Sequence, residues 1–299
     1  MSRPASQLLS PRDLARFDNL QLLARRIVEG FISGLHRSPY HGFSVEFAEY
    51  REYAPGDDLR YFDWKAYGKS DRLYIKKFHS ETNTALRLVV DRSASMGFAS
   101  GEVSKFRYAS CLAAALAFVA ARQQDAVGLL ACAAGGDRAL PPRGGQGRLQ
   151  ELFGLLEACR PEGETNLAAA LHALAESARR RSLVVVLSDL WEEPEDLASA
   201  LRHLRFKGHE VLLFQVLDPA ELDFPYRELV DFRDLETGRR LQVHAFAYRR
   251  RYRKLAAEFI ARLRRVCTEG EMEFRQALTT RPFAPWLAAY LHRRRRLAR

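Results

Sequence analysis

The segment Arg87-Leu-Val-Val-Asp91-Arg-Ser93-Ala-Ser95-Met96 decides how this chain is read. An unbroken Leu/Val run is the mark of a parallel strand buried on both faces, and this run stops at an aspartate followed by two hydroxyls at alternate positions. In open α/β sheets, ligands bind just beyond the carboxyl ends of such strands, which puts Asp91, Ser93 and Ser95 on a binding rim. Leu183-Val-Val-Val-Leu-Ser-Asp189 is a second buried-strand pattern ending in a carboxylate. Gly163-Glu-Thr165-Asn-Leu-Ala-Ala-Ala-Leu sets a hydroxyl at the start of an apolar helical run. If the three rims converge, Asp91, Ser93, Ser95, Thr165 and Asp189 make an oxygen-only donor set. That set suits Mg²⁺, which takes about six oxygens at roughly 2.1 Å and keeps several waters; Mn²⁺ is the other candidate. Without histidine or cysteine in the set, zinc is disfavoured. Aspartate and serine are also common where a strand gives way to a turn, so the weight lies on the ordered recurrence rather than on Asp-x-Ser-x-Ser alone.

Outward from these strands the pattern alternates. Arg12 to Leu35 is helical, with Leu14, Phe17, Leu20, Ile27 and Phe31 on one side. After the Asp91 strand come a helix from Val103 to Arg122, a strand from Ala126 to Cys132 and a helix from Arg148 to Ala158. Then follow Leu167 to Arg180 helical, Ser182 to Ser188 strand, Glu195 to Phe206 helical and Glu210 to Leu217 strand. Strands alternating with helices imply a parallel sheet with right-handed crossovers. A hairpin follows between Leu229 and Val243, its turn near Glu236 to Gly238. Next are a long basic helix from Ala245 to Val266, a strand from Glu271 to Ala277 and a last helix from Ala284. Gly135-Gly136 and Pro141-Pro-Arg-Gly-Gly-Gln-Gly147 are breakers around one short candidate edge strand.

The donor pattern resembles the metal-ion-dependent adhesion site of von Willebrand factor A-like domains, Asp-x-Ser-x-Ser, then a threonine, then an aspartate. The resemblance implies an α/β, Rossmann-type, mostly parallel sheet flanked by helices. It also implies Ser93 and Ser95 as direct ligands, Thr165 direct or through water, and Asp91 and Asp189 mainly as carboxylates that hold the ion's waters. The sixth position is left for a partner's carboxylate. The flank Gly42-Phe-Ser-Val-Glu46 to Arg51-Glu-Tyr-Ala-Pro-Gly56-Asp57-Asp58-Leu-Arg60-Tyr-Phe-Asp63-Trp64 resembles a narrower family. So do Phe78-His-Ser-Glu81 and the closing Ala277-Leu-Thr279-Thr280-Arg-Pro282 with Leu287-Ala-Ala-Tyr-Leu-His. These are the bacterial and archaeal A-domain proteins of unknown function encoded beside MoxR-type AAA+ ATPases. The similarity spans roughly residues 30 to 297. It implies a MoxR-type ATPase as partner, in a chaperone-like pair where the ATPase supplies energy and this chain recognition.

Three regions are expected: a helical segment over 1–36, a β-rich annex over 37–84 and the A-type domain over 85–299. In the annex Pro55-Gly56-Asp57 is a turn signal. The surrounding acids, Arg51, Arg60 and Lys65 are dense enough for an ion-pair network on an aromatic platform.

The chain has 299 residues, 47% of them hydrophobic, enough to bury a full core. Its first residues lack the design of a signal peptide, and its longest apolar stretch, Ala109 to Ala121, is too short to span a bilayer. A cytoplasmic protein is expected. Cys111, Cys132, Cys159 and Cys267 are scattered and read as small core residues. A phosphate-cradling loop fails because Asp63 stands where the first glycine ahead of Gly68-Lys69-Ser70 should be. A nucleophile elbow fails because Ser93 precedes Ser95 where a glycine is needed. His36, His41 and His79 show no ligand spacing. A Mg²⁺-dependent phosphoesterase, with Asp91 as nucleophile, is the enzymatic alternative. The net charge of +10 raises nucleic-acid or membrane-surface binding, but there is no aromatic-interleaved motif of the RNA-binding kind, and the Arg249–Arg251, Arg262–Arg265 and Arg293–Arg296 clusters read as solvated helix faces. The sequence thus points to a non-enzymatic, metal-dependent protein-interaction module.

Overall fold

Strand order puts the site at a reversal in the sheet. In the computed structural model, which describes residues 85–283 together with 14, 19–36, 50–52, 67, 74–76 and 286–287, the chain begins with helix α1 (Leu20–His36) and two short strands, β1 (Tyr50–Glu52) and β2 (Tyr74–Lys76). The alternating part then runs β3 (Ala85–Asp91), α2 (Lys105–Arg122), β4 (Val127–Cys132), β5 (Arg138–Arg143), α3 (Gln146–Ala158), α4 (Leu167–Ser177) and β6 (Ser182–Ser188). It continues with α5 (Pro194–Phe206), β7 (Glu210–Leu217), α6 (Pro219–Asp223), β8 (Leu229–Arg233), β9 (Arg240–His244), α7 (Ala245–Glu269) and β10 (Glu273–Leu278). One six-stranded sheet has the order β10-β7-β6-β3-β4-β5, parallel except for the edge pair β4–β5. From β3 the chain steps outward to β4 and β5, then returns to the other side of β3 to lay down β6 and β7. The crossovers on either side of the β3–β6 junction therefore diverge, opening a crevice at the carboxyl ends of these two strands.

The α/β class expected from the Leu/Val runs is the one observed, and alternation explains both layers. Leu86, Leu88 and Val90 point into one core with α1, α2 and α3. Val89, Val184 and Val186 point into a second core with α4, α5 and α7. A strand covered on both faces must be apolar at every position, as β6 is over its whole length. Helix α2 has fourteen buried residues among eighteen, so it is apolar nearly all round. Its start is set by Ser104, whose hydroxyl accepts the Arg107 N–H at 3.1 Å. Among the described residues no helix is long and apolar enough to cross a membrane.

Several boundaries differ from the sequence reading. The candidate edge strand is a full six residues, β5, in which Pro141 and Pro142 are tolerated because a sheet edge needs no donors on its open side. Its partner β4 needs Gly128: a Cβ there would meet the Leu140 carbonyl oxygen and the Pro142 ring at 2.9 Å. Helix α6 was not foreseen; Pro219 sits in its first turn, and Asp218 and Glu221 form a capping box. The hairpin is β8–β9, antiparallel, with Gly238 at φ 72° in its turn. In the annex β1 and β2 pair antiparallel, and the rest of the Arg51 to Trp64 block lies outside the described residues. So do His41, His79 and the basic end of the chain. Helix α1 docks through Leu20, Leu23, Ala24, Ile27 and Val28 on the first core. The four cysteines are free and buried; burial pushes the Cys111 thiol up to about 12 and the Cys267 thiol up to about 11, so neither is poised to react.

Candidate metal centre

Sheet register creates the centre. Val90 lies beside Leu187 in the β3–β6 ladder, so the next residues, Asp91 and Ser188, leave the sheet together. Asp91 is 1% exposed. One of its oxygens, Oδ1, accepts the Ser93 N–H at 2.8 Å and the other, Oδ2, accepts the Ser188 hydroxyl at 2.6 Å. A single turn of 3₁₀ helix, Ala94–Gly97, then folds the chain back. It sets Ser93 Oγ 3.1 Å from Ser95 Oγ, and Ser95 Oγ donates to Asp189 Oδ2 at 2.9 Å. Four of the five expected residues thus meet at the crevice. Leu190 follows in the left-handed region at φ 60°, a strained conformation for a branched side chain. It is held there by its N–H on Ser188 Oγ at 2.9 Å and by the Gln215 side-chain amide on the Asp189 carbonyl at 3.1 Å.

Thr165 is placed differently. Its hydroxyl donates to Glu192 Oε1 at 2.8 Å, and the same carboxylate accepts the Leu167 and Ala168 N–H groups at 2.8 and 3.2 Å. These are unpaired donors at the start of α4, where a carboxylate also gains from the helix dipole. Glu192 therefore caps α4 from another segment and draws Thr165 toward itself.

Two charged residues that the sequence reading missed complete the centre. Lys105, at the first position of α2 and 1% exposed, donates to Asp189 Oδ2 at 2.7 Å and to Glu221 Oε1 at 2.5 Å. Burial lowers the Lys105 pKa, but Asp189 and Glu221 outweigh it, and the net direction is up. Glu221 is pushed up by burial despite Lys105. Among the described residues no cation is paired with Asp91. Its buried position, and then the charge of Asp189, push it up to about 7 against the pull of the Ser188 and Ser93 hydrogen bonds. Arg92 does not compensate, since its guanidinium is engaged by Glu162 at 2.7 Å and the Gly136 carbonyl at 2.5 Å. Lys105 begins a helix that otherwise reads as pure core, and Glu221 sits in a helix of five residues, so neither carried a sequence signal.

Three carboxylates, two hydroxyls and one ammonium leave an excess of negative charge out of water. This donor chemistry fits a hard divalent cation. Ser93, Ser95, Asp91 and Asp189 are the residues that would hold it; Thr165 would join only by leaving Glu192.

The excess charge has a pH signature in the presence of EDTA. Asp91 is neutral in both folded and unfolded chains below about pH 4. As pH rises from there the unfolded chain gives up the proton while the folded one keeps it, and the stability so contributed is lost by the time pH has passed the folded value of about 7. The loss is on the order of 4 kcal/mol. Urea midpoints at pH 5.5 and pH 8, an interval that takes in about 2 kcal/mol of this fall, should show it in wild type and a flatter profile in Asp91→Asn; equal slopes in the two proteins would contradict the burial argument.

With this geometry established, comparison with known proteins adds a family. The model for "Protein of unknown function DUF58" matches residues 49–261. An uncharacterised protein of Mycobacterium tuberculosis is 29% identical over 232 residues, covering 76% of this chain and 72% of that protein. Among solved structures, the chain is similar to an aerotolerance-related membrane protein from Bacteroides fragilis, with 19% identity and TM-score 0.47, over 65% of this chain and 91% of that one. It is also similar to the SpRpn10 VWA domain, with 10% identity and TM-score 0.40, over 69% and 93% of the two chains. Neither likeness adds to the fold beyond the sheet order and helical layers already described.

Proposed function

Because the chain belongs to the DUF58 family, whose function is unknown, its task has to be read from its own site, and we propose that it is a non-enzymatic protein-interaction domain controlled by Mg²⁺ or Mn²⁺. The observation that carries this reading is the convergence of buried Asp91 and Asp189, with Ser93 and Ser95 between them, at the β3–β6 crevice and with Lys105 as the one counter-charge bonded there among the described residues. When bound, the ion would offer a coordination position that an acidic side chain of another protein can fill. The chain's own part is to hold the oxygens in place: Ser188 and the Ser93 N–H orient Asp91, while Lys105 orients Asp189.

The phosphoesterase alternative is disfavoured by the same geometry. A nucleophilic carboxylate has to reach the phosphorus of its substrate, whereas Asp91 is 1% exposed and is oriented inward by Ser93 and Ser188. By resemblance, the partner is a MoxR-type AAA+ ATPase in the cytoplasm, which would supply energy while this chain recognises a client.

Calorimetric titration with Mg²⁺ and with Mn²⁺ tests the ion site. Wild type should bind one ion saturably, and Ser93→Ala/Ser95→Ala, of unchanged thermal melt, should lose that binding. Saturable binding that survives in the double variant would place the ion elsewhere.

A further inference from the structure

The ion site forms the floor of a larger cleft of about 690 Å³, which Ser95, Lys105, Asp189 and Glu221 share with a wall of aromatic residues. That wall comes from the segment between β7 and β10, well away in sequence from the strand ends. Phe224 stacks on Tyr252 at 4.5 Å and on Phe232 at 5.4 Å, with Tyr226 edge-on at 5.3 Å. The Tyr252 hydroxyl donates to the Glu221 carbonyl at 2.8 Å, tying α7 to the floor. The hairpin is fixed over the crevice at its turn, where Glu236 accepts the Thr165 N–H at 3.0 Å. Trp191, two residues past Asp189, also lines the cleft and packs on Phe259 of α7 at 4.8 Å.

Exposed apolar surface concentrates on this same unit. Of the nine large hydrophobic residues exposed among those described, Leu229, Leu235, Leu241, Phe246, Tyr248 and Leu255 belong to the β8–β9–α7 segment. Four of them, Leu235, Leu241, Tyr248 and Leu255, line the cleft as well. Leu241 is 63% and Tyr248 51% exposed, so the apolar surface runs out of the cleft onto the open face, beyond what a small ligand would cover. Arg233 and Arg251 line the cleft too, and neither has an ion-pair partner among the described residues. The floor below them is acidic and repels a carboxylate unless a cation sits there.

We propose that this cleft is a specificity pocket for acidic protein segments in which an aromatic side chain neighbours the carboxylate. The carboxylate reaches the ion at the floor, the ring packs against the Phe224–Tyr252 wall and Leu241, and further acids of the segment pair with Arg233 and Arg251. The proposal rests on the ion reading for the carboxylate and on the aromatic wall alone for the ring. Charge complementarity selects this occupant: the rim is cationic and apolar, which disfavours basic or purely polar segments.

The test uses two fluorescein-labelled peptides of equal charge, Gly-Ser-Asp-Phe-Glu-Trp-Asp-Gly-Ser and the same peptide with serine for Phe and Trp, titrated by anisotropy against the full chain in Mg²⁺ and in EDTA. The aromatic peptide is expected to bind about tenfold more tightly or better in Mg²⁺, the effect of burying one large side chain. The Leu241→Ser/Tyr248→Ser variant, altered at exposed positions, should lose that preference while keeping its Mg²⁺ affinity. A preference that persists in EDTA would uphold the pocket and count against the ion reading. Equal binding of the two peptides, failure of both to bind, or a preference that survives in the variant would overturn the pocket. Equal Mg²⁺-dependent binding abolished by Ser93→Ala/Ser95→Ala would do so while leaving the ion site standing.

Discussion

Lys105→Met is expected to destabilise the protein by about 3–5 kcal/mol in EDTA, the cost of breaking a buried ion pair by removing one partner. Lys105 carries the one ammonium that bonds both Asp189 and Glu221, and methionine of similar length leaves those carboxylates facing each other and Asp91 without it. Adding Mg²⁺ should recover much of the loss, because an ion at the neighbouring oxygens replaces the missing charge and any ligand that binds only the folded state stabilises it. Mg²⁺ should also bind the variant more tightly than wild type, since the lysine no longer competes for Asp189 Oδ2. Urea midpoints with and without Mg²⁺, in wild type and variant, measure both effects. A variant destabilised equally in EDTA and in saturating Mg²⁺ would mean that no ion comes near Asp189.

Asp91→Ala is expected to weaken Mg²⁺ binding by about 10–100-fold, the range found when a group that orients metal ligands is removed, and to weaken capture of an acidic partner with it. Its effect on stability is smaller because two consequences oppose each other. The substitution leaves the Ser188 hydroxyl and the Ser93 N–H without their acceptor, which costs about 1–3 kcal/mol for each buried group left unpaired. It also removes a buried charge that Asp189 already disfavours. Calorimetry on a variant whose melt lies close to wild type would separate the two. Unchanged Mg²⁺ affinity would remove Asp91 from the site.

How much of this was legible beforehand can be traced residue by residue. The buried strands announced themselves because a strand covered on both faces is apolar at every position, a property of a few adjacent residues. The terminal aspartates were visible for the same reason, as the abrupt polar end of each run. The hairpin turn followed from local chemistry near Gly238, whereas the start of α2 fell at Lys105 rather than the expected Val103 because Ser104 caps it. Thr165 was recognised by its place in a motif, yet its hydroxyl has gone to Glu192, because the unpaired N–H groups of α4 attract that carboxylate and nothing in the motif records the competition.

The sequence by itself determined the alternating α/β order, the two strand-end aspartates and the two hydroxyls that lie between them in space. Only the tertiary structure decided the charge balance of the site and what stands over it. Lys105 meets Asp189 across 84 residues and Glu221 across 116, and Phe98 and Phe224, far apart in sequence, line one cleft. Periodicity reports which face of an element is buried, a consequence of helix and strand geometry that neighbours in sequence share. It is silent on which elements the sheet order then sets side by side, and the pairing of buried charges depends on that order.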